Sequence, residues 1–451
     1  MIRSTGPFQP ERAPRAAVDP ALHAQPLKPP SPYGPHFWLA YLANILVMLA
    51  IAMLFRYADF VILLGGSEWH LGWIVGTGMV GSLAVRLAMG QAIDTYGPRM
   101  VWLGSVVLFA VVCFAHLGVT TQGPAIYLLR IGYCCAIAGI FGGSMTFVAS
   151  RVSVIRLAEM WGMLGTAGFL GMMLGPQISD WLIGTGPVTR PQLDRMFLVA
   201  GLFGCGSVLF AYLATRGERA RPRPQHRPPP LQALLRRYQP GSVLLVGIVM
   251  GVAIGLPNTF LRTFAAELAI PRIGVFFGFY APAAILTRVA ARRLPERFGP
   301  EPLIPLGLAG MMLSQLAFLL VRVEWQLVLP GIGYGISHAI LFPSVVAAGS
   351  SAFPDEHRGV GNLLILAMFD LGILVGAPMV GIGLEAARFA GLAPYPAVFL
   401  ALAVLMGTTA LVYRLTWRRG DRPWQHVRQS LQQGARPDLS GERAVEVATS
   451  E

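Results

Sequence analysis

Apolar stretches of about 20 residues, the length a helix needs to cross the hydrocarbon of a bilayer, recur along most of this chain. In a soluble protein each would have to be wrapped by polar surface, and that surface is missing. Charged residues make up 13% of the 451 positions and hydrophobic residues 54%, where a soluble chain typically carries about 25% charged residues. A soluble enzyme, a disordered regulator and a disulfide scaffold are therefore excluded. The chain reads as an all-α integral membrane protein.

Twelve transmembrane helices are predicted, over 37–57, 71–89, 100–118, 125–149, 160–183, 196–215, 241–263, 273–291, 302–321, 326–349, 359–384 and 394–415. Glycines are frequent within them, as close helix packing in lipid requires. Residues 1–36 hold nine prolines and no apolar core of the kind a secretory signal needs, so they read as a retained, disordered tail. The chain then divides into a bundle at 37–215, a basic linker at 216–240, a bundle at 241–417 and a second tail at 418–451. Within the linker, Leu231, Leu234, Leu235 and Tyr238 recur at helical spacing beside Arg236 and Arg237. A short helix on the anionic inner leaflet and an ordinary basic loop both fit that pattern. Basic residues in loops mark the cytoplasmic side. Fourteen arginines fall in the loops that are internal if the N-terminus is inside, and six in the external ones. Both termini are expected in the cytoplasm, in a multi-pass protein of a bacterial inner membrane.

The net charge of +13 is spread over loops and tails rather than gathered in one patch, so no nucleic-acid partner is expected. Cys113, Cys134, Cys135 and Cys205 lie in apolar runs without metal-ligand spacing, which predicts neither a disulfide framework nor a metal. No cofactor is expected, and no phosphate-binding loop is present to power transport by nucleotide hydrolysis.

A shift of 202 residues lays one half of the chain on the other: Arg86 on Arg288, Asp94 on Glu296, Gly97 on Gly299, Pro98 on Pro300, Arg156 on Arg358, Pro176 on Pro378. Two six-helix repeats joined by a basic loop are the pattern of transporters that rock one half against the other. Between the second and third predicted helices stands Gly90-Gln91-Ala92-Ile93-Asp94-Thr95-Tyr96-Gly97-Pro98-Arg99. This resembles the G-x-x-x-D-x-x-G-x-R signature of the major facilitator superfamily at every fixed position. The second copy keeps Glu296 and Gly299 but loses the first glycine and the last arginine. The resemblance covers about 37–417 and implies two pseudo-symmetric six-helix bundles, a small-molecule substrate and alternating access.

The signature also has a local physical reading. Gly97 and Pro98 favour a tight turn, Gly90 admits a close neighbour, and Asp94 is best placed against a helix N-terminus or an arginine. The resemblance implies that Asp94 meets the start of the eleventh helix near Arg358 and that Glu296 acts likewise at the fifth, closing a cytoplasmic gate with Arg99. A turn that merely sets orientation is the competing reading. In the fifth helix Gly171, Gly175 and Pro176 resemble part of the antiporter motif of the superfamily, although Ser179 and Asp180 stand where glycines are usual. The competing reading there is a packing face with a kink. The arginine of the exporters' fourth-helix motif is matched by Arg130, but its later glycine is replaced by Cys134.

Ionisable residues within spans are functional candidates because burying them is costly. Asp370, central in the eleventh helix, and His338, central in the tenth, are candidate proton carriers and a plausible linked pair. Asp59 is a third candidate. A structural hydrogen-bonding aspartate and a satisfied core histidine are the competing readings. Arg130 is a candidate to hold an anionic substrate or a snorkelling anchor. Arg56 and Asp59, three apart, can pair on one face, either as an outer gate or as a solvated pair at the interface. Arg56, Tyr57 and Asn258 are further cavity candidates, Asn258 lying at the repeat position of Arg56. Arg86 and Arg288 sit at predicted inner helix ends, where snorkelling to headgroups accounts for them.

The expected function is therefore proton-coupled secondary transport of a small organic solute, leaning to efflux by antiport, with lipids as the other partner and a monomeric state. Uptake by symport, an uncoupled facilitator, a sensor or scaffold, and an embedded enzyme are the alternatives. An enzyme is disfavoured because no nucleophile elbow, HExxH or carboxylate pair is present.

Overall fold

The computed structural model describes residues 33–151, 154–217, 240–291, 294–354 and 357–419, together with 234, 237 and 238. Among them the chain is helical and has no strand. Most of the two predicted tails, the linker with its candidate surface helix, and the side chains of Arg156 and Glu296 lie outside the described residues.

The first helix, α1 (Pro35–Met53), starts on a proline, which loses nothing at a position whose N–H has no helical partner. It tightens into a 3-10 turn over Leu54–Arg56 and resumes as α2 (Tyr57–Leu63). The long helix α3 (Glu68–Ala115) contains one break, at Gly97, where φ is 80° and ψ is 158°. A β-carbon would be strained in that backbone, and Pro98 then begins the next segment. Gly299, its mate in the second repeat, also has φ 80°. The first half is completed by α4 (Pro124–Ala149), α5 (Val154–Ile183) and α6 (Arg190–Thr215).

The second half holds α7 (Ser242–Glu267), α8 (Gly274–Ala290), the short α9 (Leu294–Phe298), α10 (Leu303–Ala317), α11 (Val328–Ser351), α12 (Arg358–Phe389) and α13 (Pro394–Arg419). Nine helical segments of the described residues are long and apolar enough to cross a membrane.

Several boundaries differ from the sequence expectation, for identifiable reasons. Residues 90–96, expected between two helices, continue α3, because nothing breaks a helix before Gly97. The helix expected from 196 begins at Arg190, where Thr189 and Gln192 form a capping box and Pro191 occupies the first turn. The expected N-terminal tail gives way to helix at Pro35 rather than after residue 36.

The halves meet along two pairs, α3 with α12 and α5 with α8. The first crossing is backbone to backbone. A β-carbon on Gly72 would lie 2.4 Å from the Ala377 carbonyl oxygen, and one on Gly76 would lie 2.7 Å from that of Leu374. Within the first half, a β-carbon on Gly171 would come within 2.6 Å of the Met48 carbonyl carbon, and one on Gly175 within 2.8 Å of the Leu49 oxygen. Both glycines therefore seat α5 on α1. Gly171→Ala is expected to lower stability by about 1–3 kcal/mol, because the obstacle is backbone that cannot swing aside. A melting curve of the purified variant checks this.

Candidate substrate cavity

The axis between the halves holds a cavity of about 390 Å³. Its walls come from α1, α3, α4 and α5 of the first half and from α7, α8, α11 and α12 of the second. Much of the wall is apolar, built by Met48, Phe55, Phe141, Phe169, Phe342 and Phe369 among others. Into it project Arg86, Arg130, Arg288, Asn258, His338 and Asp370. Ligand sites commonly combine such a mostly apolar lining with a few converging polar groups.

Asp370 is 4% exposed, and its carboxylate is held from the other half of the molecule. One oxygen accepts from the Ser82 hydroxyl at 2.5 Å and from Arg86 Nε at 2.5 Å, and the other accepts from the second guanidinium nitrogen of Arg86 at 3.3 Å. The expected link between Asp370 and His338 is not what forms. His338 Nδ1 shares a hydrogen bond with the Tyr280 hydroxyl, and its ring packs against Phe169 and Phe342. The snorkelling reading of Arg86 is likewise corrected. Its side chain is 15% exposed and turns into the cavity, because a buried carboxylate across the seam is a stronger partner than headgroups.

Arg130 and Arg288 face the same space in a different state. The Arg130 guanidinium lies 4.9 Å from the Tyr57 ring centre and 4.7 Å from that of Tyr133. That of Arg288 lies 4.7 Å from the Phe169 ring centre, so snorkelling does not describe it either. Nε of each is buried without a hydrogen-bond partner. Tyr57 is 3% exposed and does not line the cavity; it backs Arg130 and meets His116 at 3.4 Å.

Arg56 and Asp59 do pair, Nε to Oδ2 at 2.7 Å, but as part of a buried network rather than at a solvated interface or in the cavity. The cause is the continuation of the helix past 57, which keeps both within the bundle. Arg262 of α7 reaches Asp59 at 2.9 Å, and Arg56 also donates to Asp180 of α5 at 3.0 Å. The second oxygen of Asp180 accepts the backbone N–H groups of Ile273 and Gly274 at 3.0 and 2.7 Å, capping the start of α8. Beside this, Arg388 of α12 grips both oxygens of Glu68 at 3.0 and 2.9 Å. Every one of these groups lies toward the predicted outer face, and together they tie the two halves across it.

Residues 37–377 and 243–440 match the sequence profile of the Major Facilitator Superfamily. The chain belongs to that superfamily. It is similar to YhhS of Escherichia coli, an uncharacterized MFS-type transporter, at 22% identity over 86% of this chain and 92% of that protein. It is also similar to the multidrug resistance protein MdtG of Salmonella arizonae, at 23% identity over 61% of this chain and 71% of the other. Among solved structures, the POT family transporter PepTSo shares the fold with a TM-score of 0.69 at 11% identity, over 85% of this chain and 98% of that one. The nucleoside transporter NupG does so with a TM-score of 0.67 at 14% identity, over 84% and 99%. The chain is thus a multi-pass membrane protein of a transporter family and not one of enzymes.

Of the superfamily signature, Gly97 makes the break in α3, and Pro98 follows it. Gly90 admits no close neighbour, since a β-carbon there would meet nothing within 4 Å. Asp94 is exposed and makes no hydrogen bond or ion pair among the described residues; Arg99 lies 5.7 Å from the Tyr212 ring centre. The departure at Asp180 from the superfamily's fifth-helix glycines builds the outer network. Asp180, Arg262 and Glu68 were missed in the sequence. Asp180 and Arg262 were both recoverable as charged residues inside predicted spans, 160–183 and 241–263, although Arg262 lay one residue from the expected end of a helix that runs on to Glu267.

Proposed function

We propose that this protein is a secondary transporter of a small organic solute that works by alternating access, spans the membrane twelve times and keeps both termini in the cytoplasm of a bacterial cell. One observation carries the reading: a cavity is walled by four helices from each repeat, while two ion pairs, Asp59 with Arg262 and Glu68 with Arg388, and the Asp180 cap on α8 join the repeats toward the predicted outer face. A seal at one end and a shared site in the middle are the parts that rocking bundles require. In this reading the structure is the inward-facing state, in which Asp94 is exposed, and the cytoplasmic gate forms when the halves rock.

Proton coupling runs through Asp370. Its ion pair with Arg86 joins α12 to α3, so protonation would release one half from the other at the level of the site. The direction we propose is efflux, which the similarity to a multidrug resistance protein supports. In proteoliposomes loaded with a pH-sensitive dye, an imposed solute gradient is expected to move protons. A protein that moves no solute from a broad library would end the transporter reading. Asp94→Asn is expected to slow flux about tenfold, the worth of roughly 1.4 kcal/mol, while membrane insertion stays at the wild-type level. Wild-type flux by that variant would remove Asp94 from the gate.

A further inference from the structure

Three arginines face the cavity and one carboxylate answers them. Arg86 is committed to Asp370, which leaves Arg130 and Arg288 without any acceptor among the described residues. Leaving two guanidinium groups at a membrane-buried site without acceptors is costly, unless something else supplies negative charge.

How the two are held says what that is. Tyr57 and Tyr133 lie against the Arg130 guanidinium, and Phe169 against that of Arg288. A ring attracts a cation through its quadrupole but offers no oxygen to accept an N–H donor. The Nε donor of each is unspent, and a guanidinium fork matches the two oxygens of a carboxylate or phosphate. Glycines make room for both. Arg130 packs on Gly78, where a β-carbon would lie 2.7 Å from its Cγ, and the Arg288 guanidinium lies beside Gly165. Arg130 belongs to the first repeat and Arg288 to the second, so an anion bound by both would touch both halves.

We propose, resting on the transporter reading above, that the solute is an organic anion: a carboxylate, sulfonate or phosphate group on an apolar or aromatic body. Arg130 and Arg288 take the anionic group from opposite halves, and the phenylalanine wall takes the body. A cavity of about 390 Å³ suits a small amphiphile rather than a peptide or an oligosaccharide. Because the anion bridges the repeats, its binding favours the conformation that brings them together.

The test is ligand-induced thermal stabilisation of the full-length protein in detergent. The probes are 4-phenylbutyrate, naphthalene-2-sulfonate and phenyl phosphate, set against 4-phenylbutyramide and 4-phenylbutylamine on a matched body. At least one anion is expected to stabilise the protein while the amide and amine do not, and the preferred anion separates carboxylate, sulfonate and phosphate recognition. Arg130→Gln and Arg288→Gln are each expected to weaken that anion about tenfold or more, as loss of a charged hydrogen bond does. Arg288→Lys, which keeps the charge, is expected to recover part of the loss and guards against a folding defect.

Stabilisation by the amine or amide equal to that by the anions overturns the proposal. So does stabilisation by no anion, or unchanged anion affinity in both Gln variants. Each of these leaves the transporter reading standing, because that reading fails on absence of flux rather than on the charge of the ligand.

Discussion

Asp370→Asn is expected to abolish solute-driven proton movement while leaving a folded protein that still binds solute. The carboxylate is the acceptor for Ser82 and for two nitrogens of Arg86, in surroundings where it is 4% exposed. An amide keeps one acceptor oxygen and loses the charge and the titration. Removing one partner of a buried ion pair outright costs about 3–5 kcal/mol. The isosteric Asn, still able to accept from Ser82 and Arg86, should cost less than that. Asp370→Ala, which removes both oxygens, is expected to bear the full cost and to express poorly. The dye-loaded proteoliposome assay separates the outcomes. The expected result is solute exchange without proton movement in Asp370→Asn. Wild-type proton movement by that variant would make Asp370 a structural acceptor and remove the coupling site.

The second large effect is expected from Asp59→Ala. Asp59 is shared by Arg56 and Arg262, which belong to different halves. Without it, among the described residues Arg56 keeps Asp180 and Arg262 keeps the Ile270 carbonyl at 3.4 Å. Arg56 is 1% exposed, so its lost partner is not replaced by water while the outer face stays shut. The closed outer face should be destabilised by about 3–5 kcal/mol. Two states separated by a few kcal/mol invert under a bias of that size. The variant is therefore expected to populate an outward-open form, seen as reaction of Met172→Cys, on the cavity wall, with a membrane-impermeant thiol reagent added outside. Asp59→Asn, which keeps an acceptor for both arginines, is expected to show the same change more weakly. If neither variant alters labelling, the network is not the seal.

The apolar runs, the repeat and the break at Gly97 were all legible in the sequence, because each follows from residue type and spacing. Arg130 and Asn258, named as cavity candidates, and Asp370 and His338, named as proton carriers, all line the cavity, since a polar group inside a span has few other places to go. What the chain did not reveal was pairing. Asp370 meets Arg86, 284 residues away, only because α3 and α12 cross on glycines at a register that no local pattern records. Arg86 and Arg288 were found as repeat mates and then explained by the nearest bilayer surface, since their rotation about the helix axis was unknown. Of the two places offered for Arg56, the cavity and an outer pair with Asp59, the structure has the second, extended to Asp180.

Alternating access requires that one cavity is reached from the two sides in turn. Met172→Cys, in protein whose four native cysteines are replaced, would be labelled in sealed vesicles with an impermeant thiol reagent from either side, with and without solute. Reaction is expected from the cytoplasmic side alone in the absence of solute, with added reaction from the outside once solute is cycling. Simultaneous reaction from both sides without solute would describe a channel, and reaction from neither side under any condition would mean that the cavity is a packing void.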